Sequence, residues 1–494
     1  NTMQDGVTID YVIHEFPFFS FMLGDLHPHM VSIPFLLTFI VFCWNYFRTV
    51  TTGINRLAFI SNLLLGAFLF GSISFINMWD LPVMFSIFVM IVLIKIYIGT
   101  NKNMGISYIR EVTIVPAMVI LSSIMFLPHL INFTSQVDGI GVLGPNMTRF
   151  FHSVIVWGVH LPIIATMVLY WFWKTDLGVN WKRTGLIALL IALGPYFVWV
   201  VAAIWLNMNF TDVFSQLFHI SFTIGMIGFS VYSLLWFAEK KQPPYSKLFV
   251  LVLAVVSFML LMGAELFYVD DSFSGGSERM NTVFKFYFQS WILFSIVGGI
   301  SINYGRSIIN GFSGFRRVFG ELWKFACVIL ICSAFYYVPA TLDTRTNSFQ
   351  SRQTLNGLEF IALSNLDEYK AIEFLQDDKD ASTVLVEAPG GGYNDYGRIS
   401  SSTGIPTVIG WVGHETQWRG DNDAFNSRLI DVSNIYTSQD LDQTKAILSK
   451  YNVKYVYIGH REISRFSEDQ LGKFGLFMDL VFHSGNVYIY QIRS

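Results

Sequence analysis

Long apolar runs separated by short polar breaks make up the first two thirds of the chain. Ten of them lie near 30–48, 57–76, 81–99, 112–132, 152–173, 184–206, 213–237, 247–267, 283–304 and 321–340. Each reaches about 20 residues, enough for a helix to cross a hydrocarbon layer roughly 30 Å thick. The run at 213–237 is interrupted by Ser and His and carries His219 in its interior. From Leu342 the pattern shortens. Glu368 to Leu375 predicts a helix, Thr383 to Glu387 a buried strand, and Leu441 to Lys450 a helix. Lys454 to Ile458 predicts a strand and Glu468 to Phe474 a helix. Leu480 to Ile492 predicts a hairpin turning at Ser484-Gly-Asn. Strands alternating with helices predict a small α/β domain. The expectation is an α-helical polytopic membrane protein, with a multi-spanning domain over 1–341 and an α/β domain over 342–494.

The polar breaks sort by charge. Alternate breaks hold Arg48 and Arg56; Lys95, Lys102 and Arg110; Lys174, Lys182 and Arg183; Lys240, Lys241 and Lys247; and Arg306, Arg316, Arg317 and Lys324. The other set holds only Arg149, Arg279 and Lys285, and the first 29 residues hold no Lys or Arg. Cytoplasmic loops carry the Lys/Arg excess, so the first set is expected in the cytoplasm. The opening segment, Asp80, the 133–151 and 268–282 loops and the C-terminal domain are then expected outside, in a multi-pass protein of the cell membrane surrounded by the lipid bilayer.

Composition agrees: the 494 residues are 53% hydrophobic and only 14% charged. A net charge of −3 is too small to imply a nucleic-acid partner, and none is expected. Cys43, Cys327 and Cys332 all lie in apolar runs, so no disulfide framework or cysteine metal site is expected. The chain opens at Asn1 with no signal peptide before the first apolar run, and is expected to be a fragment or a processed form.

Candidate chemistry gathers on the outward side. His14, Glu15, Asp25, His27 and His29 crowd the segment before the first span, where ionisable groups are costly and usually kept for a task. Pro28 between the two histidines argues against regular helix there. Carboxylates beside imidazoles suit two jobs: holding a divalent metal ion, with Asp25, His27 and His29 as ligands, or taking a proton from a hydroxyl, with Glu15 and Asp25 as bases. Asp80, before Leu81-Pro82, reads as the cap of the third span. Asp270 and Asp271 are read equally well as a solvated loop. Arg279 and Lys285 are suited to holding a phosphate. The aromatic run Phe16 to Phe21 reads as interfacial anchoring.

In the tail, Gly390 to Gly404 is glycine-rich but has neither the dinucleotide fingerprint nor the P-loop spacing. His414, Glu415, Trp418 and Arg419 read as a loop contacting sugar or phosphate, with a structural loop network as the alternative. Asn132, Asn146 and Asn209 sit in Asn-x-Thr sequons at outward loops.

The strings His14-Glu-Phe-Pro-Phe-Phe-Ser-Phe, Gly24-Asp-Leu-His-Pro-His-Met30, Asn77-Met-Trp-Asp-Leu-Pro82, Arg279-Met-Asn-Thr-Val-Phe-Lys-Phe-Tyr287 and Gly410-Trp…His414-Glu…Gln417-Trp-Arg-Gly420 resemble the Chlor_Arch_YYY family of multi-pass membrane proteins. The resemblance runs over essentially the whole chain. That family is grouped with the GT-C-type glycosyltransferases. It implies transfer of a sugar from a polyprenyl-phosphate donor at the outer membrane face, with an outward carboxylate as base or metal ligand. The tyrosine-rich segment and first spans that precede the opening motif in the family are absent here. The alternative is a transporter or a non-catalytic membrane protein with an outer binding domain. A transporter predicts polar groups at mid-depth in several spans, for which His219 is the chief candidate.

Overall fold

A computed structural model describes residues 2–4, 7–24, 26–49, 55–102, 108–133, 135, 137–144, 148–176, 180–271, 273, 275–378, 380–419 and 423–493. The chain forms two compact units, Asn1–Ser348 and Phe349–Ser494.

In the first unit, eight helices among the described residues are long and apolar enough to cross a membrane. They are Pro28–Arg48, Arg56–Ile76, Met78–Gly99, Trp181–Trp205, Phe210–Ala238, Tyr245–Leu266, Gly275–Asn310 and Gly314–Arg345. The segment expected as one span at 152–173 is two helices, Phe150–Trp157 and His160–Trp173, bent 86° against each other. The bend falls at Gly158, where a Cβ would lie 2.4 Å from the Val154 carbonyl oxygen. If this pair is one crossing, the spans number nine. The segment at 112–132 also divides. Its first helix, Tyr108–Met125, ends before Phe126, and a second short helix, Leu127–Asn132, starts around Pro128. Proline has no N–H for the preceding turn, which accounts for the interruption.

Tyr245–Leu266 is the most enclosed helix, and Gly314–Arg345 is almost wholly exposed on its flanks. A single core fills the bundle, with Leu36, Phe39, Phe88, Leu253, Phe258 and Phe294 among its buried side chains. Two small ladders close one end. Strands β1 (Thr2–Gln4) and β2 (Val7–Asp10) pair antiparallel, as do β3 (Gly139–Val142) and β4 (Phe267–Asp270). Trp199 Nε1 donates to the Leu143 carbonyl at 3.1 Å, which ties the β3 segment to the Trp181–Trp205 helix.

The second unit is built on a four-stranded sheet of β5 (Val384–Val386), β6 (Val453–Ile458), β7 (Met478–Ser484) and β8 (Val487–Ile492), in the order β5-β6-β8-β7. β5 and β6 are parallel; β6 with β8 and β8 with β7 are antiparallel. The period of two sends alternate residues to opposite faces. Val456 and Ile458 join one buried cluster, Tyr455 and Tyr457 the other, so β6 is covered on both sides. Asn365 caps the Leu366–Gln376 helix by accepting from Glu368 N. Asp440 caps Leu441–Lys450 by accepting from Asp442 N and Gln443 N. The β7–β8 turn holds Gly485 at φ 52°, a left-handed conformation that glycine adopts without cost.

Candidate functional site

One end of the first unit collects its polar side chains around the start of the Met280–Asn310 helix. Arg279, just before that helix, is only 2% exposed. Its Nε and Nη2 donate to the two carboxylate oxygens of Asp10 at 3.1 and 2.8 Å. Nη1 donates to the Ala264 carbonyl at 3.2 Å and lies 3.3 Å from Glu265 Oε1. Glu265, in the last turn of Tyr245–Leu266, also accepts from the Thr148 backbone N–H at 3.0 Å, the Thr148 hydroxyl at 2.5 Å and the Tyr287 hydroxyl at 3.2 Å. His219 Nε2 stands 3.3 Å from its other oxygen. A buried charge is tolerable only when paired and fully hydrogen-bonded, and here each carboxylate is.

The opening segment packs on the same helix. Pro17–Leu23 is a short helix ended by Gly24 at φ 66°. Glu15 accepts from the Ser20 hydroxyl at 2.7 Å, and its Oε2 lies 3.4 Å from His29 Nε2. The His29 ring sits edge-on against Phe284 and Phe288 at 4.9 and 4.8 Å. His14 packs against Tyr287 and Trp157 at 5.5 and 6.2 Å. The Ser32 hydroxyl donates to Asp80 Oδ2 at 2.6 Å, and Gln289 donates to Asp80 Oδ1 at 2.5 Å. His29, Asp80 and Arg279 are therefore joined by contacts to the first ten residues of one helix, and Glu15 reaches it through His29.

Burial raises the Glu15 carboxyl, but the His29 imidazole and Ser20 hydroxyl beside it outweigh that and hold it below the usual carboxylate value. It is ionised at neutral pH and 18% exposed, so it can accept a proton or face a cation. Burial drives His14 down to about 4, against a smaller opposing pull from Glu15, so its ring is neutral.

The candidate residues fall in different settings. Asp25 lies outside the described residues. His27 is exposed, and its ring lies 5.6 Å from that of His29. Lys285 is half-buried, with its ammonium over the Phe284 ring, near enough for its charge to act on His29 and Asp80. Asp80 is not a helix cap: it is 1% exposed and serves as the common acceptor for side chains of two other helices. Nor is the aromatic run uniformly interfacial. Phe16 packs on Trp291 and Tyr337 and Phe18 on Tyr337, while Phe21 is exposed. In the second unit His414 and Glu415 lie on a helix, Val412–Arg419, rather than in a loop. The side chains of Trp418 and Arg419 are outside the described residues, as is Asn146.

Among the described residues no group of three or more His, Cys, Asp or Glu side chains is arranged to hold a metal ion. Glu15 and His29 supply two donors; His29 Nε2 faces Glu15 Oε2 at 3.4 Å, and His29 Nδ1 has no hydrogen bond among the described residues.

Asp10 and Glu265 are the charged members of the cluster that sequence reasoning missed. Glu265 had a readable signal, a carboxylate inside an otherwise apolar run. Asp10 had none. At the opposite end of the unit, Lys95 is not a loop cation. It is 5% exposed and lies 3.5 Å from Glu111, which also accepts from the Tyr46 hydroxyl.

The chain belongs to a family of uncharacterised membrane proteins (DUF2298), whose defining pattern matches residues 6–294 and so takes in every residue of the polar cluster in the first unit. No curated protein matches the chain.

Proposed function

We propose that this multi-pass protein is a glycosyltransferase of the GT-C type, moving a sugar from a polyprenyl-phosphate donor to an acceptor hydroxyl at the outer face of the cell membrane. The observation that carries the reading is Glu15: an ionised, partly exposed carboxylate held by Ser20 and His29, on the end of the bundle that also presents Lys285. In the proposed step the Glu15 carboxylate takes the acceptor proton as the acceptor oxygen bonds to the anomeric carbon. The bond from that carbon to the phosphate oxygen breaks, and its electron pair leaves with the lipid phosphate. Lys285 would steady the negative charge that develops there, the larger electrostatic contribution in such a transfer. Arg279 has its donors on Asp10, Thr148 and Ala264, so its part in this scheme is to hold the segments together rather than to grip phosphate.

A divalent ion, if used, would be held by Glu15, Asp25, His27 and His29 and would supply charge for the leaving phosphate. The ionisable groups of the spans support a boundary site over a transport route. Asp80 stands at the start of its span and Glu265 at the end of its own, not at mid-depth.

The test is consumption of a lipid-linked sugar by membranes containing the full-length protein. Glu15→Gln should lower turnover by about 100-fold or more, the usual contribution of a general base. Asp25→Ala should lower it as well. Turnover unchanged by Glu15→Gln would refute the assignment.

A further inference from the structure

The second unit carries a feature that the chemistry above does not use. β5 and β6 are parallel neighbours, and the loops leaving their carboxyl ends are Glu387 to Gly397 and Gly459 to His460. In α/β sheets ligands bind at that edge. The first loop is tightly built. Gly390 bridges to Trp411, Val412 N donates to the Gly390 carbonyl at 3.1 Å, and Trp411 Nε1 donates to the Tyr396 carbonyl. A Cβ on Gly390 would lie 2.1 Å from the Tyr396 ring, so the backbone approaches that ring as only glycine can.

On this frame stands Tyr393, 87% exposed and at φ 59°, a left-handed conformation that is strained for an aromatic residue. Its ring lies 5.8 Å from Trp411 and 5.1 Å from His414, and those two are 5.1 Å apart. Three rings in mutual contact leave no central gap for a cation, so they present an outer face rather than a cage. An exposed aromatic ring on a strained backbone, in contact with two further rings, is unlike the single exposed apolar residues that need no explanation.

The charges beside it select the ligand. Arg398 is paired with Glu368 at 2.8 Å and Asp395 at 3.4 Å, Arg461 is paired with Asp395, and Arg465 donates to the Pro389 carbonyl at 2.8 Å. With these arginines committed, the edge does not favour a phosphate. What remains is the exposed face of the Tyr393 ring beside polar Asn394 and the Asp395–Arg461 pair, a match for a ring with one apolar C–H face and hydroxyls at its rim.

We propose that this edge is a carbohydrate-binding site, on which the apolar face of a neutral pyranose stacks against Tyr393. The proposal concerns binding by the second unit and goes beyond the transferase reading, which it does not require.

The experiment is saturation-transfer NMR on the full chain in lipid nanodiscs, free of glycoside detergent. The probes are methyl glucoside, methyl mannoside and methyl galactoside, with glucose 6-phosphate as the charged comparison. The expected result is transfer to the protons of one sugar face. Affinity should fall at least tenfold in Tyr393→Ala, stay within twofold in Tyr393→Phe, and be no tighter for the phosphorylated sugar. Tyr393→Gly relieves the left-handed strain, so it should fold at least as well as the wild type and still lose binding. Glu15→Gln should bind sugar as the wild type does, which separates failure here from failure of the transferase reading. The proposal is overturned if none of the three sugars binds, if Tyr393→Gly or Tyr393→Ala binds normally, or if the phosphorylated sugar binds more than tenfold tighter.

Discussion

Replacing Arg279 with Met is the sharpest perturbation of the first unit. The guanidinium makes two charge-assisted bonds to Asp10 and one to the Ala264 carbonyl, and it faces Glu265 at 3.3 Å, all at 2% exposure. Methionine fills similar space but donates nothing. Asp10 would lose both of its charge-assisted bonds and remain 8% exposed, whereas Glu265 keeps Thr148 and Tyr287. The cost is therefore that of one orphaned buried carboxylate, about 3–5 kcal/mol. Asp10→Asn keeps the shape and leaves Arg279 beside Glu265, so it should cost less, about 1.5–3 kcal/mol for weakened bonds to a charged group. The double variant should fall short of the sum by roughly 0.5–3 kcal/mol, because the orphaned charge is gone. Reversible unfolding of the full chain in mixed micelles, driven by rising dodecyl sulfate and followed by tryptophan emission, measures all three. An Arg279→Met variant within about 1 kcal/mol of the wild type, or strictly additive losses, would refute the account of Arg279 as the framework ion.

Further outcomes follow from other groups. Lys95→Met alone should destabilise by about 3–5 kcal/mol by leaving the buried Glu111 without its cation, while Lys95→Met with Glu111→Gln should recover most of that loss in the same assay. His14 is held at about 4 by burial, below its ordinary 6.5, so the unfolded chain takes the proton first as pH falls. Stability should drop between pH 6.5 and about 4, and His14→Phe should flatten that part of the melting-temperature profile. Burial, assisted by nearby Glu462, lifts Glu387 to about 8 against its bonds from the Ser400 and Ile399 backbones. The folded state then holds a proton the unfolded state has lost between about pH 4.5 and 8, so stability falls as pH rises through that window. Hydrogen exchange of the Ile399 and Ser400 amides, corrected for intrinsic rate, should show protection declining over that range in the wild type and constant in Glu387→Gln.

Much of the second unit was legible because its signals are local. The strands at Lys454–Ile458 and Leu480–Ile492 show themselves by period two and a glycine turn, and Leu441–Lys450 by its Asp440 cap. The Val412–Arg419 helix was not legible, since a run with His, Glu, Thr, Gln and Trp carries no amphipathic stripe. Its placement depends on Gly390 bridging to Trp411.

In the first unit the sequence alone determined that long helices form and approximately where. An apolar run of that length satisfies its own backbone hydrogen bonds and finds a favourable solvent in lipid, whatever its neighbours. It also marked Glu15, His29, Asp80 and Arg279 as unusual. Only the tertiary structure decided what they do to one another. Arg279 meets Asp10 across 269 residues and Gln289 meets Asp80 across 209. No periodicity records such pairings. A buried carboxylate takes whichever donors the packing of other helices brings within about 3 Å, and that packing is a property of the whole bundle.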